Sequence, residues 1–292
     1  MIRNYLLIAF RNLVSYRLHT FINLIGLTIG LAGFIIIFLW INDELSFDES
    51  LKNKDRIYQL TIRHPTDIKD PNVPYILPVL LANEFSEISY FTRIVRLSNK
   101  MTCSFQYRDN KNRQQSFIEQ NVSLVDTSFF SIFSYPFIFG DRNSALTNRS
   151  SVVIKKEIAL KYFGVEDPTG KILTLNNNEN YTVTGVFEQT GKSHLIFDFI
   201  LPIPQSHYND WNWSDPSYIL TSENANIPGF KSKIAGYFNK HQPYNLKGNF
   251  VLGILPITSS YLGFGRMKYN YIISVVALLI LFIAGINYVN LS

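Results

Sequence analysis

One segment of the sequence resembles part of a nucleotide-binding loop, namely Gly191-Lys192-Ser193. A phosphate-binding loop needs a further glycine five positions before the first glycine of this triplet, and position 186 is a valine. The following residues, 195–200, alternate like a β-strand, whereas a phosphate loop must open a helix whose N-terminal amides face the phosphates. We therefore predict a surface loop here rather than a nucleotide site.

Other chemically active residue types are present but are not arranged as a site. The chain has five histidines that lie far apart in the sequence: His19, His64, His194, His207 and His241. None has the spacing of a metal-binding motif, and no nucleophile motif of the Gly-x-Ser-x-Gly kind occurs. The acidic pairs Asp43-Glu44 and Asp48-Glu49 are predicted to be solvated rather than catalytic. The sequence thus predicts no catalytic residue, no metal site and no cofactor.

The single cysteine, Cys103, excludes an intrachain disulfide. Polar and apolar residues alternate around it, as in a β-strand, and no histidine or asparagine frames it in a known nucleophile pattern. We predict a buried or half-buried structural thiol.

Charge is distributed very unevenly along the 292 residues. All 22 acidic residues and 24 of the 27 basic residues lie between Asn42 and Lys268, so that this segment has a net charge of +2 (24 − 22). Residues 1–41 contain only three arginines, and residues 269–292 contain no charged residue. Scattered basic residues do not form the one-sided cluster of a nucleic-acid site, so no nucleic-acid partner is expected.

The first uncharged stretch, residues 21–41, predicts a transmembrane helix. As a helix it would span about 31 Å, which is close to the hydrocarbon thickness of a bilayer. A cleaved signal peptide is the alternative, but its apolar region is only about 7–15 residues long and ends in small residues. This stretch is longer and is followed by Asn42-Asp43-Glu44. We therefore predict a retained membrane anchor.

A second transmembrane helix is predicted for residues 269–292, with tyrosines near its ends as is typical of the membrane interface. Arg3, Arg11 and Arg17 precede the first helix, whereas acidic residues follow it. The positive-inside rule then places the N-terminus in the cytoplasm and residues 42–268 outside it. Contact with membrane lipid follows from this arrangement.

Two features of the N-terminal region predict further interactions with the membrane. Apolar residues recur at helical spacing within residues 1–20, which predicts an amphipathic helix lying in the plane of the inner leaflet. Within the first transmembrane helix, Gly26, Gly30 and Gly33 would let another helix approach closely. Generic helix packing and a specific dimer or bundle interface both remain open for these glycines.

Residues 42–268 are predicted to form a mixed α and β domain, an α+β fold between the two transmembrane helices. Short runs rich in β-branched and aromatic residues predict strands at 57–63, 93–97, 102–107, 151–154, 171–175, 181–187, 196–203, 217–221 and 253–257. Helices are predicted at 78–85, at 155–163 with Gly164 as C-cap, and at 228–239. Residues 173–183 predict a hairpin whose turn is rich in asparagine.

Several blocks of the sequence resemble the MacB/FtsX-type permeases of ABC transporters, in particular those of Bacteroidetes-like bacteria. The blocks are Ala9–Leu13, Phe21–Leu27, Asp43–Asp48, Asp55–Tyr58, Ser128–Phe133, Gly140-Asp141, Ser151–Ile154, Ala159–Gly164, Asp167–Lys171, Tyr181–Phe187, Ser193–Leu195, Asp198-Phe199 and Gly285–Ser292. They cover nearly the whole chain in the order and spacing of the family.

The resemblance implies a MacB-like periplasmic core for residues 42–268, with a β-rich subdomain inserted at about 115–212. It also implies that the chain is not an enzyme but the permease subunit of a bacterial inner-membrane transporter. The implied partners are a cytoplasmic ABC ATPase that supplies the ATP hydrolysis, a second permease copy or repeat, and outer-membrane or periplasmic proteins. Because such permeases have at least four transmembrane helices, the chain is expected to be the N-terminal part of a longer permease.

Two other functions share this layout. A two-span sensor or receptor input module also places an extracytoplasmic ligand-binding domain between two transmembrane helices. A membrane-anchored scaffold without a partner ATPase is the third hypothesis.

Overall fold

The computed structural model describes residues 17–99, 101–108, 113–204, 211, 213–244, 246–263 and 266–289. The chain divides into two compact units, one formed by Met1–Ser46 and Leu262–Ser292 and the other by Phe47–Tyr261. We name them the helical unit and the α/β domain. Most of the amphipathic helix predicted for residues 1–20 lies outside the described residues.

Eight α-helices occur in the described residues. In chain order they are α1 (Arg17–Leu45), α2 (Leu77–Glu84), α3 (Phe129–Ile132), α4 (Lys156–Phe163), α5 (Ile227–Ile234), α6 (Tyr237–His241), α7 (Ile257–Gly263) and α8 (Arg266–Val289). Short 3-10 helices are formed by Lys54–Arg56 and Leu97–Asn99.

Fourteen β-strands in the described residues belong to one hydrogen-bonded sheet. They are β1 (Ile57–Arg63), β2 (Lys69–Asp70), β3 (Asn72–Pro74), β4 (Ile88–Arg96), β5 (Cys103–Arg108), β6 (Gln114–Glu119), β7 (Val122–Val125), β8 (Phe137–Gly140), β9 (Ser151–Lys155), β10 (Ile172–Leu175), β11 (Glu179–Phe187), β12 (Phe199–Pro202), β13 (Trp213–Thr221) and β14 (Val251–Pro256).

The helical unit contains two helices that are long and apolar enough to cross a membrane, Phe21–Leu45 within α1 and Lys268–Ile286 within α8. The first extends four residues beyond the predicted end at Ile41, because no proline or glycine interrupts the helix there. The second covers most of the predicted residues 269–292, of which residues 290–292 lie outside the described part of the chain. The prediction of two flanking apolar helices is confirmed.

The sheet of the α/β domain is mixed. Its main path is β14-β1-β13-β4-β7-β12-β9-β11-β10-β5-β6. Most neighbouring strands are antiparallel, whereas β7 with β12 and β9 with β11 are parallel. Mixed pairing and helices packed on the sheet are typical of α+β domains, so the predicted fold class is confirmed.

Helices cover the sheet at both ends. Near one end, α2, α5 and α6 bury Leu77, Phe230 and Phe238 against β1, β13 and β14. Burial, together with a hydrogen bond to Glu84, raises the pKa of Tyr237 on α6 to about 12. Full burial of each such apolar side chain contributes about 1.5–3 kcal/mol before entropy costs.

Helix α4 covers the other end of the sheet. Its buried residues include Ile158 and Tyr162, one turn apart, which gives the helix an apolar face toward the strands. Gly164 ends the helix with a φ of +69°, and its N–H donates to the Leu160 carbonyl at 3.0 Å. Gly164 is therefore the predicted C-cap, where a residue with a Cβ would be strained.

A third core lies between these ends and is rich in aromatic residues. Phe129, Phe130 and Phe133 of the α3 region are buried together with Phe187 and Phe197. Nearby, Gly140 has a φ of +81°, and a Cβ there would lie 2.8 Å from the Gly185 Cα atom. This close approach lets β8 lie beside β11.

Most predicted strands are observed, and a few predicted elements differ in length or continuity. The strand predicted at 196–203 is shorter, Phe199–Pro202, and the helix predicted at 228–239 is two helices separated at Ala235-Gly236. The predicted hairpin is confirmed, because Asn176 and Asn177 take positive φ values of 50° and 60° between β10 and β11. The polar strand β6 was not predicted.

Candidate functional site

The three glycines predicted to mediate helix packing lie on α1. Gly30 is buried, and a Cβ added to it would lie 2.6 Å from the Cβ of Ala284 on α8. A Cβ added to Gly33 would lie 4.0 Å from Ile280, also on α8. Gly26, one turn before Gly30, is half-buried. Within the helical unit, the glycine face thus allows close contact between the two long helices, and a role in a dimer interface stays a prediction.

The chain enters the α/β domain at Phe47 and leaves it at Tyr261. The rings of these two residues are stacked, with centroids 4.2 Å apart and planes inclined by 16°. Such an aromatic pair contributes about 0.5–1.5 kcal/mol beyond the burial of its area. The first and last residues of the domain are therefore joined directly to each other.

Asp48, the next residue, is completely buried. Its carboxylate accepts a hydrogen bond of 2.5 Å from the Ser193 hydroxyl and a second from Nδ1 of His194. Its backbone N–H donates to the Lys192 carbonyl at 2.8 Å. The backbone of Asp48 has a φ of +61°, a conformation that aspartate tolerates better than most residues. Three contacts thus fix the start of the domain to a loop about 145 residues later.

The loop that contacts Asp48 is itself fixed by hydrogen bonds. The Leu195 N–H donates to the Ser193 hydroxyl at 3.1 Å, and the Ser50 hydroxyl donates to the Thr190 carbonyl at 3.0 Å. Gly191 has a φ of +75°, and a Cβ there would lie 2.5 Å from the Ser50 Cβ. Only glycine allows the loop to lie this close to residues 48–51. The triplet Gly191-Lys192-Ser193 is a loop, as predicted, and its function is structural.

The contacts of Asp48 continue into the aromatic core. His194 Nε2 lies 3.2 Å from the Tyr218 hydroxyl on β13. Burial raises the pKa of Tyr218 above its ordinary value, and the negative charge of Asp48 raises it further. The same two causes raise the pKa of the buried Tyr135. Both phenols therefore stay protonated at physiological pH.

We name these residues the basal cluster: Phe47, Asp48, Ser193, His194, Tyr218 and Tyr261. The sequence predicts a solvated Asp48, and this prediction is wrong, because the carboxylate has no exposed surface. Its neighbour Glu49 is exposed and pairs with Lys54, in agreement with the prediction for that residue. The link from His194 to Asp48 was missed because the two residues are 146 positions apart.

A second buried polar network holds the middle of the sheet. Arg93 on β4 is completely buried and forms a bidentate ion pair with Asp126, whose Oδ2 also accepts from the Arg93 backbone N–H at 2.7 Å. Nearby, the Tyr75 hydroxyl donates to Asp215 on β13 at 2.9 Å. Removing one partner of a buried pair is strongly destabilising, so these contacts fix the relative positions of β4, β7 and β13.

Neither network has the features of an active site. Asp48, Tyr218, Arg93 and Asp126 are all buried away from solvent, so that no substrate atom could reach them. In the part of the chain that the structure describes, no three His, Cys, Asp or Glu residues are grouped as metal ligands. The arrangement is suited to holding the ends of the domain rigidly rather than to chemistry.

A family model matches most of the chain. The family model of the MacB-like periplasmic core domain matches residues 20–237, which is well over half of the chain. The match begins within α1 and includes Asp48, Ser193 and His194 of the basal cluster. Tyr261, at the other end of the domain, lies beyond the matched residues.

Solved structures share the fold. A domain of a protein described as a permease from Porphyromonas gingivalis has a TM-score of 0.58 and 21% identity, over 71% of this chain and 93% of that one. The periplasmic region of MacB from Actinobacillus actinomycetemcomitans has a TM-score of 0.50 and 14% identity, over 76% of this chain and 99% of that one. At these identities the similarity establishes the fold alone.

A curated protein from Amoebophilus asiaticus, described as a pre-16S rRNA nuclease, is 25% identical over 108 residues, which are 33% of this chain and 76% of that protein. A match this short and distant assigns no family. The family model, the shared fold and the two apolar helices agree with one another. The chain belongs to the family of the MacB-like periplasmic core domain, and it is a MacB/FtsX-type ABC transporter permease with an extracytoplasmic domain.

Proposed function

We propose that the chain is the permease subunit that couples a separate cytoplasmic ATPase to movement of its α/β domain, for export or for transmission of force. ATP binding and hydrolysis take place in the partner subunit, and the chain itself catalyses no reaction. A second permease copy or repeat completes the membrane part. Outer-membrane or periplasmic proteins are the further partners of the α/β domain.

The observation that carries this proposal is the basal cluster. A domain that responds to movement of its membrane helices needs a rigid connection at the residues through which the chain enters and leaves. Phe47 and Tyr261 are stacked on each other, and Asp48 is held by Ser193 and His194. Movement at either end of the domain is therefore delivered to both ends and to the aromatic core.

The buried ion pair supports the same mechanism. Arg93 and Asp126 join neighbouring strands across the middle of the sheet, so that the sheet resists internal deformation. A domain built in this way moves as a rigid body when its basal cluster moves. We further propose that the α/β domain lies in the periplasm, that the N-terminus is cytoplasmic and that the membrane is the bacterial inner membrane. The β-rich insertion at about 115–212 remains a proposal of the same kind.

The proposal is tested by reconstituting the full chain with Walker-motif ATPases of the same genome in lipid nanodiscs. We expect one ATPase to co-purify with the chain and its ATP hydrolysis to be stimulated by it. The variant Asp48→Ala should still co-purify, because the basal cluster lies in the α/β domain, but should stimulate hydrolysis less. Asp67→Ala is the matched control, since Asp67 is exposed and also has a positive φ.

Failure of co-purification and of stimulation together would argue for the membrane-anchored scaffold and against the coupling function. A sensor would instead bind a downstream signalling protein and leave ATP hydrolysis unchanged.

A further inference from the structure

The strands β5, β6, β10 and β11 present one polar face to solvent. In the register of these strands, Gln106 lies opposite Ser116 and Thr174, and Thr174 lies opposite Asn180. Side chains alternate between the two faces of a sheet, so these residues share one face. The opposite face contains Phe105 and is buried under α4. A half-exposed sheet of this kind needs polar residues on its outer face.

A cleft of about 840 Å³ lies on this polar face. Its lining consists largely of carboxamide, hydroxyl and cationic groups: Gln106, Arg108, Gln114, Lys171, Thr174, Asn177 and Asn180. A simple inorganic anion would occupy a small part of this volume, since one water molecule takes only about 30 Å³ in the liquid. The volume lies within the range of about 300–1,000 Å³ that is usual for ligand sites.

In three hydrogen bonds between lining side chains, the acceptor is a carboxamide oxygen. Arg108 donates to the side-chain oxygen of Gln114 at 3.2 Å, and the Gln114 amide nitrogen donates to the oxygen of Gln106 at 2.9 Å. In the same way, the Thr174 hydroxyl donates to the oxygen of Asn180 at 2.8 Å. The carboxamide oxygens of Gln114, Gln106 and Asn180 are therefore already engaged. Among the described residues, the amide nitrogens of Gln106 and Asn180 and the remaining guanidinium N–H groups of Arg108 are donors that a ligand can use.

The charge of the cleft is positive at one end. Arg108 lies beside Gln114 at the end of the β5–β6 pair, and no carboxylate is among the described lining residues. Lys171 also lines the cleft and is paired with Glu166 outside it, at 2.7 Å. Arg108 thus supplies the guanidinium that can pair with an anionic group of a ligand.

We propose that this cleft binds an acidic carbohydrate. Sugar hydroxyl and ring oxygens accept hydrogen bonds from the amide nitrogens of Gln106 and Asn180, and the acidic group of the sugar pairs with Arg108. A peptide would need several apolar side-chain pockets, whereas Ile172 and the ring of Tyr107 are the apolar side chains of the described lining. A polyphosphate chain would need several unpaired cations along its length. Donor groups in a row with one cation at the end fit a sugar acid best.

The test uses the full chain in nanodiscs of uncharged phosphatidylcholine, with isothermal titration calorimetry. The probes are trigalacturonate, uncharged maltotriose and inorganic phosphate at matched ionic strength. We expect saturable binding of trigalacturonate and at least about tenfold weaker binding of maltotriose, because a hydrogen bond to a charged group is worth tenfold or more in affinity. Phosphate at the same concentration should not displace the bound sugar.

Two variants probe the assignment of residues. Arg108→Gln should weaken trigalacturonate binding at least about tenfold, and Gln106→Ala should weaken it for both sugars. The matched control is Arg142→Gln, because Arg142 is an exposed arginine outside the cleft lining and should leave affinity within about twofold. If Arg108→Gln fails to fold, Gln106→Ala carries the test.

The proposal is overturned if trigalacturonate does not bind saturably, or if maltotriose binds equally well. Displacement by phosphate would reduce the cleft to a general anion site and would also overturn it. An equal loss in Arg142→Gln would show that net charge alone attracts the sugar.

Discussion

The replacement Asp48→Asn tests the basal cluster with the smallest possible change. Asparagine has nearly the same shape as aspartate and tolerates the positive φ of 61° found at this position. The side chain would therefore stay in place, while its charge and one hydrogen-bond acceptor are lost. Any effect reports on the contacts with Ser193 and His194.

The size of the effect follows from these contacts. The Asp48 carboxylate accepts two hydrogen bonds in a completely buried position. A hydrogen bond to a charged group contributes about 1.5–3 kcal/mol. Asparagine retains one acceptor oxygen, but its amide nitrogen faces a donor at the other position. We therefore expect a loss of about 2–3 kcal/mol in the free energy of unfolding of the α/β domain.

Thermal unfolding of the full chain in detergent micelles, followed by near-ultraviolet circular dichroism, measures this loss. For a domain of about 215 residues, Phe47–Tyr261, a loss of 2–3 kcal/mol lowers Tm by about 4–12 °C. The control Asp67→Asn has a similar φ of 64° but removes only an exposed ion pair with Arg63, and it should cost less than about 1 kcal/mol.

Equal Tm values for Asp48→Asn and the wild-type chain would refute this reasoning. They would mean that the two hydrogen bonds of the carboxylate contribute nothing net, and that the start of the domain is not fixed by them. A similar loss in the Asp67 control would point instead to the backbone conformation.

Three further predictions follow from single residues. Because the folded pKa of Tyr237 is raised to about 12, the unfolded chain ionises first, near its ordinary value of about 10. The stabilisation by the Tyr237 phenol is thus present below about pH 10 and is lost as pH rises toward 12. The Tm of Tyr237→Phe should therefore fall less steeply than that of the wild-type chain over that range. Parallel plots of Tm against pH for the two proteins would contradict this. In chemical denaturation, Gly140→Ala should lower the free energy of unfolding by more than about 2 kcal/mol, because the added Cβ would meet the backbone of β11. Gly170→Ala, with a φ of +82° but open space around it, should lower it by about 1 kcal/mol. Equal losses would contradict the packing argument. Gly30→Leu should reduce cysteine cross-linking between α1 and α8 in nanodiscs and Gly285→Leu should not, since only Gly30 lacks room; unchanged cross-linking in both would disprove close helix contact.

The elements of the α/β domain could be predicted where the local pattern is strong. Residues 57–63 and 181–187 combine β-branched and aromatic residues, and both are strands in the structure. Strand β6 was missed because its sequence is mainly polar, as is tolerated when, among the described strands, only β5 pairs with it and most of its side chains are exposed. The break at Ala235-Gly236 was overlooked although glycine is a weak helix former.

The basal cluster could not be predicted, because its evidence is not local. Next to a transmembrane helix, Asp48 follows Asp43 and Glu44, and such acidic residues are usually solvated. Its burial results from Ser193 and His194, which the fold brings to it from about 145 residues later in the chain. The resemblance to permeases included both segments as separate blocks, without indicating that they touch.

The central claim is that the ATPase moves the α/β domain through the basal cluster. It is tested most directly by electron paramagnetic resonance distances between two copies of the chain in the reconstituted complex. Val165 is 91% exposed and suits a spin label as Val165→Cys, with the buried Cys103 replaced by alanine. We predict that the distance between labels changes when the ATPase is trapped with ATP, and that Asp48→Ala abolishes most of this change. A wild-type distance that is the same with and without ATP would contradict the account.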